Sequence, residues 1–273
     1  MEKKKFIDLE NLIRNKNPRL LKMLPRFVLN YIRRVIHEED INKFILEHGH
    51  KYSFEFCDAI LSSFGVHTKA IGLEHVPEKG GYIFAANHPL GGMDAIALID
   101  ALGKKRKDIK FLVNDILMHL ENLRPLFIPV NKIGKNSTEN LDIIDKTYSS
   151  EQAILIFPAG LVSRKQNGKI KDLEWKKSFI NRAKKYQKDV IPVYIEGMNT
   201  EFFYNLAIWR KRVGIKANVE MFFLPDELFK QKNKTIKIIF GKPISYATFD
   251  RSLSDAQWAE KVKEQVYKLG NVE

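Results

Sequence analysis

From about residue 67 onward, short runs rich in Ile, Val and Phe alternate with segments of helical period, and no other feature of the chain constrains its fold as tightly. The runs fall at 82–86, 109–113, 126–130, 153–157, 190–195, 218–223 and 235–240, each of strand length. Helical patterns occupy 94–102, 138–148, 173–187, 201–212 and 254–269. Strands that are apolar throughout need cover on both sheet faces. The pattern therefore predicts an α/β fold with a mostly parallel central sheet flanked by helices.

Residues 1–65 lack such runs and read as helical, with breaks at Pro18, Pro25 and Gly49. The expected organisation is a basic helical extension over 1–65 and an α/β domain over 66–273. The single cysteine, Cys57, has no partner for an internal disulfide, which points to a reducing compartment and so to the cytoplasm. The first residues, MEKKKFIDLE, carry positive charge without the apolar stretch of a signal peptide. No segment approaches the roughly 20 apolar residues of a membrane-spanning helix.

The net charge of +13 calls for an anionic partner: nucleic acid, an anionic lipid surface, or an acidic protein or cofactor. Between Asn11 and Ile36 stand Arg14, Lys16, Arg19, Lys22, Arg26, Arg33 and Arg34 with no acidic residue, interleaved with Leu20, Leu21, Met23, Phe27 and Tyr31. Helices of this kind lie in a membrane interface, and they equally serve as a packed hairpin with a solvated basic face; the sequence leaves both readings open. On the first, Arg19, Lys22, Arg26, Phe27, Arg33 and Arg34 are the membrane contacts. The segment from Phe202-Phe203-Tyr204 to Trp209-Arg210-Lys211-Arg212 also combines aromatics with cations and admits the same two readings.

In an open parallel sheet, ligands bind at the carboxyl ends of the strands. After the run 82–86 comes Asn87-His88-Pro89-Leu90-Gly91-Gly92-Met93-Asp94, and Asp94 opens the next helix. An aspartate there serves as a cap, and the glycines serve the turn. The chemical alternative is that Asp94 accepts a hydrogen bond from the His88 ring, fixes its tautomer and stabilises the imidazolium of a general base. The motif contains no serine or cysteine nucleophile. The hydroxyl to be deprotonated then belongs to the substrate, and the reaction is direct acyl transfer.

Taken in order, four blocks resemble the glycerolipid and lysophospholipid acyltransferase superfamily, with its motifs N-H-x4-D, F-x-x-R, F-P-E-G-T-R-S and V-P-V. The counterparts are Asn87, His88 and Asp94; Phe127 to Lys132; Phe157-Pro158-Ala159-Gly160 with Ser163-Arg164; and Val190-Ile191-Pro192-Val193. The resemblance implies that His88 is the base and Asp94 its orienting carboxylate. The thioester oxyanion would be held around Asn87, Gly91, Gly92 and Met93, and the acceptor by Asn131, Lys132, Phe157, Pro158, Gly160, Ser163 and Arg164. The co-substrate would be an acyl thioester of acyl carrier protein or coenzyme A, with no cofactor bound permanently and no metal. The partners implied are a lipid acceptor and an anionic membrane surface, with the protein peripheral on the inner face of a bacterial cell membrane.

The departures from the family pattern are informative. Five residues separate His88 from Asp94 where the motif has four. Ala159 replaces the glutamate, and Val130 and Val162 stand where two arginines are expected. Those arginines are associated with the acceptor's phosphate, and an apolar residue cannot replace a bidentate guanidinium. Either Lys132 and Arg164 take over, or the acceptor carries no phosphate monoester. The second case matches the branch of the superfamily that acylates the hydroxyl of a 3-hydroxyacyl amino acid to make ornithine or glycine lipids, with Arg164 as the cation for the acceptor's carboxylate. Synthesis of phosphatidic acid from 1-acylglycerol 3-phosphate is the alternative. From another class, a non-catalytic lipid- or nucleic-acid-binding protein would use the charge but gives His88 and Asp94 no role, and no nucleic-acid module is recognisable.

Overall fold

The structure is a computed structural model that describes residues 5–130 and 138–271. It contains two compact units, one of Met1–Lys51 with Thr200–Lys230 and one of Tyr52–Asn199 with Gln231–Glu273.

The larger unit carries the sheet. Its strands are β1 (His67–Ile71), β2 (Tyr82–Ala86), β3 (Ile109–Asn114), β4 (Phe127–Val130), β5 (Ala153–Ile156), β8 (Val190–Ile195) and β9 (Thr235–Phe240), with a separate hairpin of β6 (Arg164–Gln166) and β7 (Lys169–Lys171) between β5 and β8. The sheet order is β1-β9-β8-β2-β5-β3-β4. Every pairing is parallel except β8 with β9, so β9 and β1 run against the other five. The chain leaves β2 for β3 on one side, and it later leaves β5 for β8 on the other. The carboxyl ends of β2 and β5, side by side in register at Ala85 and Ile156, are thus a topological switch point.

The apolar runs explain this placement. Ile83, Ala85, Ile154 and Ile156 pack against Tyr148 of helix α7 (Thr138–Ser149), Phe179 and Ala183 of α8 (Ser178–Tyr186), and Val262 and Val266 of α11 (Asp255–Leu269), all buried. Helix α6 (Gly92–Gly103) packs on β1, β9 and helix α5 (Ser53–Phe64). A Cβ on Gly103 would lie 2.8 Å from the Phe54 ring, so α5 and α6 approach closely. Residues 52–65 therefore belong with the sheet and not with the expected helical extension over 1–65. Cys57 sits in this packing; burial pushes its thiol up to about 12, leaving it inert as a nucleophile.

The smaller unit is helical: α1 (Leu9–Lys16), α2 (Pro18–Met23), α3 (Arg26–Val35), α4 (Glu38–His48), α9 (Glu201–Arg212) and α10 (Leu224–Phe229). His37 breaks α3 from α4 in the left-handed region at φ 51°, a break the sequence does not announce. Its ring stacks on Phe229 at 3.7 Å, and its nitrogens lie 3.0 Å from Asp40 and 3.1 Å from Asp226. These contacts explain why 200–230 segregates with the N-terminal helices.

The expected strand at 218–223 is instead a 3-10 turn, Val219–Phe223, running into α10. The reason is Glu220, which is buried to pair with Arg210, while Pro225 enters the first turn of α10. Of the N-terminal contacts named from sequence, Arg19, Lys22, Arg26, Phe27 and Arg34 are exposed. Arg33 instead turns inward, donating to Glu10 and lying 3.8 Å from Glu38. Among the described residues no helix is long and apolar enough to cross a membrane.

Candidate active site

Strand β2 ends at Ala86, and the Asn87 side chain closes the sheet behind it. Its Nδ2 donates to the Ile195 carbonyl at 2.9 Å and its Oδ1 accepts the Ile195 N–H at 2.7 Å, extending the β2–β8 ladder by one side chain. Asn87 thus holds the strand ends together, and both functions of its amide are engaged away from any oxyanion.

The turn that follows solves the spacing problem. Gly91 takes φ 86°, a conformation that L side chains rarely adopt, and the chain reverses so that Gly92 and Met93 begin α6 with Asp94 at its third position. The Asp94 Oδ2 then receives three hydrogen bonds: His88 Nδ1 at 2.8 Å, the Leu90 N–H at 2.8 Å and the Gly91 N–H at 3.0 Å. The carboxylate is at once a helix cap and the hydrogen-bond partner of the imidazole. The additional residue relative to the family motif is absorbed by the loop that Leu90 and Gly91 tie to the carboxylate.

Asp94 is fully buried, and its Oδ1 has no hydrogen-bond partner among the described residues. Burial pushes its carboxyl above the ordinary carboxylate range, opposed by the bonds from His88, Leu90 and Gly91. With Nδ1 donating to Asp94, His88 Nε2 is left as the basic atom, and the side chain remains 17% exposed.

The loop after β5 builds the floor. Phe157 stacks on the His88 ring at 4.1 Å and 14°, and it meets Phe111 of β3 edge-on at 5.0 Å. Ser163 donates its N–H to the His88 carbonyl at 2.7 Å, and its hydroxyl donates to Asp172 at 2.5 Å. Asp172, buried, also accepts the His88 N–H at 3.2 Å and Trp175 Nε1 at 2.8 Å. Its own N–H donates to the Tyr267 hydroxyl at 2.7 Å. The backbone of His88 is therefore clamped on both sides. Asp172 and Tyr267 were not singled out from sequence, because these contacts lie 84 and 95 positions apart along the chain.

Several residues read from sequence as acceptor contacts take other roles. Phe157 stacks on the His88 ring, Ser163 bonds its carbonyl, and Pro158 is buried. Arg164 is buried, with Nη1 donating to the Val162 carbonyl at 2.5 Å and the Ser163 carbonyl at 3.2 Å. Gly160 is exposed at φ 64°. Asn131 and Lys132 lie outside the described residues. Val162 is buried, and Val130 ends β4 half-buried.

The family model described as acyltransferase matches residues 11–272. The chain belongs to the acyltransferase family. Curated relatives carry the name lyso-glycine lipid O-acyltransferase. One from Bacteroides thetaiotaomicron is 44% identical over 265 residues, covering 97% of this chain and 97% of its own. Another, from Phocaeicola vulgatus, is 42% identical over 265 residues, covering 97% and 95%. Among solved structures, the 1-acyl-sn-glycerophosphate (LPA) acyltransferase PlsC from Thermotoga maritima is similar at TM-score 0.49 and 18% identity, over 79% of this chain and 80% of that one. As an O-acyltransferase the protein must take a proton from an acceptor hydroxyl.

Proposed function

We propose that this acyltransferase esterifies the free hydroxyl of a lyso-glycine lipid, a 3-hydroxyacyl chain carried on glycine, using a fatty acyl thioester as donor. His88 Nε2 takes the hydroxyl proton while Asp94 holds Nδ1 and stabilises the imidazolium. The oxygen attacks the thioester carbonyl, the C–S bond breaks, and the imidazolium returns its proton to the thiolate. The products are an ester and a free thiol. Gly91 N–H is spent on Asp94, so the N–H groups of Gly92 and Met93, the first of α6, are the donors assigned to the oxyanion.

The acceptor class is supported by the names of the two relatives, together with Val130 and Val162 in place of the family's phosphate-associated arginines. A glycine carboxylate needs one cation rather than a bidentate clamp on a dianion, and Lys132 is assigned to it, since Arg164 is turned onto backbone carbonyls. The donor carries phosphopantetheine on an acyl carrier protein or as coenzyme A. The exposed Arg19, Lys22, Arg26 and Arg34, with Met23 at 78% and Phe27 at 73% exposure, support a peripheral position on an anionic membrane, at its inner face.

The test offers purified protein a labelled acyl thioester with either N-(3-hydroxyacyl)glycine or 1-acylglycerol 3-phosphate, with His88→Ala as control. Transfer to the glycine lipid, about 10²- to 10⁴-fold slower in the variant, is the expected result. Preferential transfer to the phosphate acceptor would overturn the acceptor assignment. Unchanged rates in His88→Ala would overturn the mechanism.

A further inference from the structure

Helix α9 presents two apolar faces. Phe203, Tyr204 and Ala207 are buried along one side, whereas Phe202, Leu206, Trp209 and Val213 follow the spacing i, i+4, i+7, i+11 along another. On that second stripe Phe202 is 50%, Trp209 55% and Val213 52% exposed. Beyond it the chain leaves the helix with Gly214 at φ 76°, where Gly214 N–H bonds the Lys211 carbonyl at 3.2 Å and Ile215 N–H the Arg210 carbonyl at 2.9 Å. All eight residues from 211 to 218 are exposed, so the turn projects.

This projection is held from within. Arg210, buried, donates to both oxygens of the buried Glu220, to Asn218, and to the Ile215 carbonyl at 3.2 Å. A bidentate buried ion pair across the base of a turn fixes its shape, and here the fixed shape keeps Trp209, Val213 and Ile215 outward. Lys211, Arg212 and Lys216 stand among them, and no acidic residue occurs between Glu201 and Glu220.

We infer that the end of α9 and the turn after it, residues 209–216, form a preorganised tip that docks on an anionic lipid bilayer, separately from the N-terminal helices. A projecting apolar tip offers no groove to a protein's side chains, but a bilayer interface deforms around it. The tryptophan takes the headgroup level and the cations reach lipid phosphates. The lipid acceptor of the proposed reaction gives such docking a purpose, yet the docking is read by binding alone.

The experiment uses the full chain with vesicles of phosphatidylethanolamine and phosphatidylglycerol. Sedimentation should show Trp209→Ser partitioning about tenfold more weakly than wild type. Lys211→Gln with Lys216→Gln should weaken it about fivefold per charge removed, an effect that vanishes in high salt. Brominated acyl chains should quench wild-type tryptophan emission, and Trp209→Phe should abolish that quenching. Equal partitioning of wild type and Trp209→Ser, or quenching that survives Trp209→Phe, overturns the proposal. So does a wild-type dimer that Trp209→Ser converts to monomer, since the tip would then be a self-association surface. Transfer to acceptor dispersed in detergent should be unchanged in Trp209→Ser. If wild type itself transfers nothing there, the functional reading fails while the docking result stands.

Discussion

Asp172 accepts the backbone N–H of His88 at 3.2 Å, while Asp94 holds the ring of the same residue at Nδ1. The Asp172 carboxylate also receives Ser163 Oγ and Trp175 Nε1, three donors in a buried site. Asp172→Ala takes the acceptor from the His88 N–H and Trp175 Nε1 at about 1–3 kcal/mol each, while Ser163 Oγ keeps the His88 carbonyl at 3.2 Å. We expect a melting temperature lower by several degrees and kcat reduced about tenfold or more, with KM for the acceptor little changed. Asp172→Asn is expected to be nearly as damaging, because an amide cannot accept from all three donors on both of its atoms. Thermal melts with steady-state kinetics check this.

Asp94→Asn separates the charge of the orienting residue from its shape. A single oxygen, Oδ2, accepts all three hydrogen bonds, so an asparagine oxygen in that place keeps the turn. The loss is the anion facing the imidazolium, and the rate should fall by about 10⁴-fold. Two opposed effects set the variant's stability. The new amide nitrogen takes the place of Oδ1, which has no partner among the described residues, and an unpaired buried donor costs about 1–3 kcal/mol at every pH. Against this, burial raises the Asp94 carboxyl, so its charged form opposes folding: its contribution is favourable at low pH and is lost as pH rises through the raised folded value. The variant cannot ionise there, so relative to wild type it should be least stable in the ordinary carboxylate range and recover as pH rises. A melt series across pH 4 to 8 reads both.

The fold was legible where strands are apolar on both sides. Ile83–Ala86 and Ala153–Ile156 are buried continuously, and Val190–Ile195 at every position except Tyr194. It was not legible at β1, whose residues His-Thr-Lys-Ala-Ile lie on a sheet edge and are never fully buried. Around 219–223 apolar residues cluster without declaring a period, and only the Arg210–Glu220 pair, a three-dimensional contact, decides for a turn. The hairpin of β6 and β7 did carry a signal, the dipeptide Asn167-Gly168 with both residues at positive φ, which is the preferred two-residue hairpin turn. In the site, His88 and Asp94 were legible because six positions of sequence contain their whole geometry. Asp172, Ser163 and Tyr267 act on the same loop through distant contacts that no local pattern encodes.

Phe157 is expected to tune the base as well as seat it. Its ring lies 4.1 Å from the His88 ring and nearly parallel, so it faces the imidazolium during turnover. A cation over an aromatic face gains about 0.5–1 kcal/mol. Phe157→Leu should therefore reduce kcat by about threefold to tenfold, read by steady-state kinetics, as the imidazolium loses its aromatic face and the ring its seat. Wild-type kcat would show that the stack is packing alone.

Gly197 guards the active-site turn from the opposite side. It takes φ 151°, and a Cβ there would lie 2.8 Å from both methyl carbons of Leu90, a buried side chain whose own N–H donates to Asp94. Alanine at 197 must push Leu90 aside in a packed site, at a cost of about 1–3 kcal/mol. The displaced Leu90 also pulls its N–H away from Asp94, so activity should fall further than in a stability-matched variant elsewhere. Leu90→Ala alone leaves a cavity worth about 2–5 kcal/mol. The two changes share the same space, and the double variant should be less damaged than the sum of the two singles, with a coupling of about 0.5–3 kcal/mol. Denaturant unfolding of all four proteins completes the cycle. Strict additivity would mean that Gly197 is required for its backbone conformation and not for the room it leaves to Leu90.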